Sequence, residues 1–278
     1  MWNLFRYGPA RWLVRLMVRL SWPIIILGKA LSNVPVLKWI INPFFRRPHN
    51  ELTSIPINAE LRLPPSVALP RQILERLVEG VEPRFIMSEC ICRRHNNVDD
   101  SPRDIGCMAL GPATGRIHPS NGRMADRDEA IAHIRRASQN GLVASIAHVW
   151  IDPLAFGTRF RDLLFICFCD DVNCMYRTYM KNRGPNLNGA YEKLPGITIE
   201  VDGEKCDECG ECLDACFLGC IKIKNGVAVA DGNCAGCARC TEVCPTGERT
   251  LNMEDEEEVY GQLIERIHKV CDLPVRGS

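Results

Sequence analysis

Eight cysteines between positions 206 and 244 stand in two runs of identical spacing: Cys206, Cys209, Cys212 and Cys216, then Cys234, Cys237, Cys240 and Cys244, with Pro245 after the last. Each run reads C-x2-C-x2-C-x3-C, so several soft thiolate sulfurs come from one short piece of chain. That spacing suits an iron–sulfur cube, on whose corners three sulfurs from one segment must converge. The turn that presents them has to be tight, and Gly210, Ala235, Gly236 and Ala238 are the small residues available for it. A pair of zinc sites would show two CxxC knuckles separated by a long gap, and would have no use for third and fourth cysteines at these offsets. A further six cysteines, Cys90, Cys92, Cys107, Cys167, Cys169 and Cys174, lie upstream with looser spacing.

The flanks of the two runs repeat as well. Val201–Cys206 (VDGEKC) mirrors Val229–Cys234 (VADGNC) at a 28-residue offset, which predicts a pseudo-two-fold domain. Between the halves, Ile221 to Lys224 and Val227 to Val229 flank Asn225-Gly226, the signature of a hairpin with a type I′ turn. Residues 194–253 resemble a two-cluster bacterial-type ferredoxin domain. The resemblance implies one [4Fe–4S] cluster on Cys206, Cys209, Cys212 and Cys244, and a second on Cys234, Cys237, Cys240 and Cys216, the fourth cysteine of each run reaching across. The first run departs from that pattern, with Phe217 where a proline is usual and an extra Cys220, expected to pack as a small buried apolar residue. If Cys216 were not a ligand, Cys220 would be its substitute.

The elements that must carry the upstream cysteines are legible in part. Ile73, Leu74, Leu77 and Val78 predict a helix over 70–80 ending at Gly80, and Arg84 to Ser88 a strand leading into Cys90. Asp126 with Glu129 forms a capping box opening a helix over 127–139 that Gly141 stops. Leu142 to Trp150 and Leu163 to Cys169 are apolar runs of strand length. The fold class expected is therefore α+β: a small cysteine-containing domain over 71–193, the ferredoxin-like domain over 194–253, and an acidic helix over 254–278. The run Cys90-Ile91-Cys92-Arg93, Cys107, Gly122-Arg123 with Glu129-Ala130, Gly141-Leu142-Val143 and Ile166-Cys167-Phe168-Cys169 resembles anaerobe proteins that fuse such a region to a C-terminal ferredoxin domain. That family implies no particular activity, and its cysteine-dense tail is thinned here to Asp170-Asp171-Val172-Asn173-Cys174.

Two Cys-x-Cys pairs, each on a strand, would point both sulfurs to one face, and four of the six upstream cysteines are expected to hold a third iron–sulfur cluster. Cys90, Cys92 and Cys107 with one of Cys167, Cys169 or Cys174 is the expected set. The alternative is six buried free thiols. His95, His118, His133 and His148 are scattered without metal-binding spacing, and no GxGxxG or Walker loop occurs, so no nucleotide is expected. The hydrophobics between the N-terminal arginines speak against nucleic acid as a partner.

Sixteen cysteines in 278 residues could staple a secreted protein, but iron–sulfur thiolates need a reducing compartment. The formal net charge of zero conceals an asymmetry. Residues 1–50 carry Arg6, Arg11, Arg15, Arg19, Lys29, Lys38, Arg46 and Arg47 and no acid. Arginines every fourth residue, with Trp12, Leu13, Leu16, Met17 and Leu20 between them, predict an amphipathic anchor over 1–48 lying on an anionic membrane surface, with Pro23 breaking or kinking it. No apolar run reaches the ~20 residues a spanning helix needs. A proline-rich linker is expected over 49–70. Together these features predict a cytoplasmic, peripherally membrane-associated electron-transfer protein that serves a redox partner. The alternative is an oxidoreductase whose middle domain holds a third, substrate-binding cluster fed by the ferredoxin domain.

Overall fold

The computed structural model describes residues 6–45, 49–58, 69–97, 102–178, 180–181, 187 and 190–275. Its centre is a seven-stranded sheet built from β1 (Asn50–Ile55), β2 (Arg84–Met87), β3 (Met108–Leu110), β4 (Gly122–Ala125), β5 (Val143–Val149), β6 (Leu164–Cys169) and β7 (Tyr191–Lys193). The spatial order is β4-β2-β3-β6-β5-β1-β7. Neighbours are antiparallel except β1 and β7, which run parallel. The fold is α+β.

Strand alternation divides the side chains between two cores. Leu164, Ile166 and Phe168 of β6 enter one, with α3 (Pro70–Gly80), α5 (Arg127–Gln139) and α9 (Glu256–Val270) over it. Phe165, Cys167 and Cys169 enter the other, under α1 (Arg11–Leu31) and α6 (Ile151–Phe156), with Ile91 of α4 (Ile91–Asn96) packed against it. Leu194, Ile197, Ala238, Leu251 and Met253 belong to the first core, so the segment with the two cysteine runs shares its packing with the large sheet. Helix α9 is part of that packing. Asp255 caps it, Glu257 pairs with Arg76 at 2.7 Å, and Val259, Leu263 and Ile264 are buried.

Helix α5 begins at the Asp126 cap with Glu129 bonding back, as the sequence predicts. Its Asp126 side chain accepts the Glu129 N–H at 2.8 Å. Asp126→Ala is therefore expected to cost about 1 kcal/mol of stability. A chemical-denaturation midpoint unchanged by the substitution would show that the cap contributes nothing.

Three expectations are corrected. The stretch 49–70 is not an extended linker from its start: Asn50–Ile55 is strand β1, buried along its whole length between β5 and β7. Its polar sequence NELTSI hid it, because Asn50, Glu51, Thr53 and Ser54 are buried within the fold. Residues 59–68 lie outside those described. Of the break or kink expected at Pro23, the break does not occur, since α1 continues to Leu31; Trp22, beside it, is buried and stacks on His95 at 4.4 Å, holding the helix to the body. Finally, Cys90-x-Cys92 is not on a strand. Cys90 caps α4 and Cys92 lies in its first turn, so the same-face geometry applies to Cys167 and Cys169 alone.

Candidate iron–sulfur site

The 28-residue repeat is written into the backbone. Left-handed residues fall at Glu208 and Gly236, at Gly210 and Ala238, and at Gly219 and Gly247, each pair 28 apart. Glycine accepts this conformation freely, whereas Glu208 and Ala238 hold it as side-chain-bearing residues. The first two positions of each run flank its second cysteine, Cys209 or Cys237, and lead into a short helix, α7 (Glu211–Ala215) or α8 (Arg239–Glu242). Left-handed positions of this kind are a recurring part of backbone concavities whose N–H groups cradle anionic iron–sulfur groups. Gly236 N–H lies 3.4 Å from Cys234 Sγ as its donor. The hairpin forms as expected, β9 (Ile221–Lys224) with β10 (Val227–Ala230), and β8 (Ile197–Val201) pairs with β11 (Arg249–Met253). Asn225 and Gly226 both have positive φ, which a type I′ turn requires.

Cys216, Cys234, Cys237 and Cys240 line one cavity of about 20 Å³, together with Cys220. Three of these belong to the second run and one to the first. Cys220 stands 3.4 Å from Cys216, sulfur to sulfur, and also donates to Cys234. Its hydrogen bonds hold Cys216 down to about 6 and Cys234 to about 7, against an ordinary thiol near 9, while its own proton is held far more tightly. Burial pushes Cys240 up to about 12, with Arg249 opposing it. In the first run Cys212 is buried, Cys206 half-buried and Cys209 exposed. Cys244 donates to Glu248 and has Thr246 Oγ1 at 3.6 Å.

Two arginines that sequence inspection passed over give the site its charge. Arg249, on β11, is 3% exposed and feels the thiols of Cys240 and Cys212, one from each run. Its Nη2 donates to Ala228 O, the Cys212 and Cys240 thiols are its further partners, and no carboxylate stands in ion-pair reach among the described residues. Arg177 is equally buried, lies over the Phe217 ring at 4.0 Å, pairs with Asp171 and reaches Cys237 Sγ at 3.8 Å. Burial alone would lower its pKa, yet Cys237, Asp171, Cys169 and Cys174 together raise it. A buried guanidinium with idle N–H groups is costly unless an anion completes its surroundings. Thiolate-bound iron–sulfur clusters are such anions, and the residues present fit them. No three His, Cys, Asp or Glu side chains among the described residues converge to hold a single metal ion. A cluster does not need that, since each thiolate binds its own iron.

Paired thiol runs on a duplicated backbone, with a buried guanidinium between them, define an iron–sulfur domain of ferredoxin type. Known proteins agree for this segment. It is 35% identical over 57 residues to a ferredoxin of Methanothermococcus thermolithotrophicus, covering 20% of this chain and 95% of that protein. It is 36% identical over 55 residues to a ferredoxin-like protein in vnf region of Azotobacter chroococcum mcd 1, covering 18% of this chain and 85% of that one. Through this segment the chain belongs to the ferredoxins. No family model matches it, and no solved structure does.

The four histidines that sequence inspection singled out have structural partners: His133 and His148 bond Gly106 O and Leu163 O, His118 bonds Ser120 N–H, and His95 stacks on Trp22.

Proposed function

We propose that the chain is a one-electron carrier with two [4Fe–4S] clusters, held by Cys206, Cys209, Cys212 and Cys244 and by Cys234, Cys237, Cys240 and Cys216. Each cluster cycles by one electron without proton uptake at its ligands. The observation that carries this reading is the duplicated turn geometry around two sets of thiols with Arg249 between them. Iron and acid-labile sulfide on anaerobically purified protein should give about eight of each for these two clusters, with a reducible paramagnetic signal. Absence of any low-temperature signal after reduction would sink it.

The carrier works at an anionic membrane surface, serving a redox partner there. Helix α1 presents Trp12, Leu16, Leu20, Ile24 and Leu27 as an exposed stripe at helical spacing, and Val36, Trp39, Ile40 and Phe44 follow it. Its opposite side is committed to the body. Val14 and Trp22 are buried, Arg15 makes two bonds of 2.6 Å to Glu89, and Lys29 bonds Met175 O. The helix is thus an integral layer of the fold with one apolar face left over, and no helix among the described residues is long and apolar enough to cross a membrane. Each stripe residue that enters lipid contributes on the order of 1.5–3 kcal/mol. Leu20→Glu with Ile24→Glu should therefore weaken binding to vesicles containing anionic lipid by at least about a hundredfold, with iron content unchanged. Equal sedimentation of the variant and the parent with vesicles would remove the membrane from the proposal.

A further inference from the structure

The six upstream cysteines, unrelated to the matched segment, come together on one face of the large sheet. Cys167 and Cys169 share that face of β6. Cys107 precedes β3, whose Met108 pairs with Ile166, so the register sets Cys107 beside Cys167, and the two thiols are hydrogen-bonded. The turn after β6 folds back to put Cys174 Sγ 3.0 Å from Cys169 Sγ. Helix α4 delivers Cys92 to Cys174, and Cys90 to Cys92. The sulfurs therefore form a connected patch drawn from four separate pieces of chain. Packing alone has no reason to gather six thiols, since any small apolar side chain would fill these positions as well.

Three features distinguish a site from a packed core. Cys92, Cys107 and Cys167 line an apolar cavity of about 80 Å³ beneath α1. Two buried guanidinium groups flank the patch: Arg93, 1% exposed, bonds Phe168 O and Ile105 O and leaves Nε idle, and Arg177 leaves Nε and Nη1 idle. The thiols also touch across these segments, Cys174 lying 3.0 Å from Cys169 sulfur to sulfur, an all-thiol donor set of the kind that suits iron–sulfur chemistry.

We propose that Cys92, Cys107, Cys167 and Cys174 hold a third iron–sulfur cluster, in line with the cluster site on Cys216, Cys234, Cys237 and Cys240. The connection is Arg177. Its backbone N–H bonds Cys174 O at 3.1 Å while its side chain ends 3.8 Å from Cys237 Sγ, so one side chain separates the two thiol sets. Cys90 bonds Cys92 at the edge of the patch and is left out of the ligand set, which differs in this from the set expected from sequence.

The test is iron, sulfide and zinc analysis of the full chain, purified anaerobically, with Mössbauer spectra of iron-57-enriched protein. The expected content is about twelve irons, falling by about a third in Cys107→Ser and in Cys167→Ser and unchanged in Cys90→Ser. The ferredoxin-segment signals should persist in all three. About eight irons in the parent chain, stoichiometric zinc, or a Cys169–Cys174 disulfide on thiol counting would each overturn the site. The Mössbauer count of the unaltered protein decides the matter even if a serine variant fails to fold. Failure of the ferredoxin reading is separate: it would appear as missing low-temperature signals from Cys206–Cys244, whatever the upstream cysteines hold.

Discussion

Cys237→Ala is expected to remove about four irons from the ferredoxin segment, and Cys216→Ala to remove none. The two residues line the same cavity, but their surroundings differ. Cys237 stands in the tight turn between Gly236 and Ala238, with Arg177 against its sulfur and no spare thiol bonded to it. Alanine there leaves one iron without a protein ligand, inside a packed region where water and larger groups do not readily substitute. Cys216 has Cys220 at 3.4 Å, and Cys220 already bonds Cys234, a ligand of the same proposed cluster. A small rotation of Cys220 would supply the missing thiolate. Cys216→Ala with Cys220→Ala should then behave like Cys237→Ala. Iron and sulfide per chain, read beside the reduced EPR spectrum, separate the three variants. Loss of a cluster in Cys216→Ala alone would show that Cys220 is only a packed thiol. Unchanged iron in Cys237→Ala would refute the ligand assignment itself.

Arg249→Met should have opposite effects on the cluster-free and cluster-loaded protein. Without clusters, a guanidinium only 3% exposed faces thiols and a backbone carbonyl, with no carboxylate in ion-pair reach among the described residues. Replacing it with a side chain of similar length that carries no charge should stabilise that form by about 1–3 kcal/mol. With clusters bound, the same charge offsets the negative charge on both thiol sets. In an effective dielectric of about 20, a unit charge several Å from an added electron favours it by a few kcal/mol, so its loss should lower the reduction potential by on the order of 100 mV. The measurements are a denaturation midpoint on chelator-stripped protein and a redox titration on the loaded one. A potential that does not move, or moves upward, would mean that Arg249 is screened from the clusters. A stripped variant less stable than the parent would show that the Ala228 bond outweighs the buried charge. The stripped parent should also be markedly less stable than the loaded form, because ligand binding and folding share one free energy here.

The parts of the chain governed by local rules were legible in advance. The Asn225-Gly226 turn and the Asp126 cap depend on residues within a few positions of each other, so each could be written down from the sequence and found in place. The repeat was visible too, although Glu208 could not be recognised as left-handed, since its side chain gives no sign of it. Long-range pairing decided the rest. Strand β1 carries no hydrophobic alternation and exists because β5 and β7 bond to both its edges. Helix α1 survives Pro23 because the body grips Trp22, Arg15 and Lys29.

By itself the sequence determined the chemistry: thiolates at iron–sulfur spacing, twice, on a duplicated frame, and an apolar, basic N-terminal helix. Only the tertiary structure decided which charges face those thiols and which distant cysteines meet. Arg177 and Arg249 look like any other arginines in a list of residues, and Cys92, Cys107, Cys167 and Cys174 span 83 positions with no fixed spacing. The physical reason is that coordination spacing is set by the few bonds between neighbours, whereas burial and charge compensation are properties of surfaces that exist only once the sheet has closed.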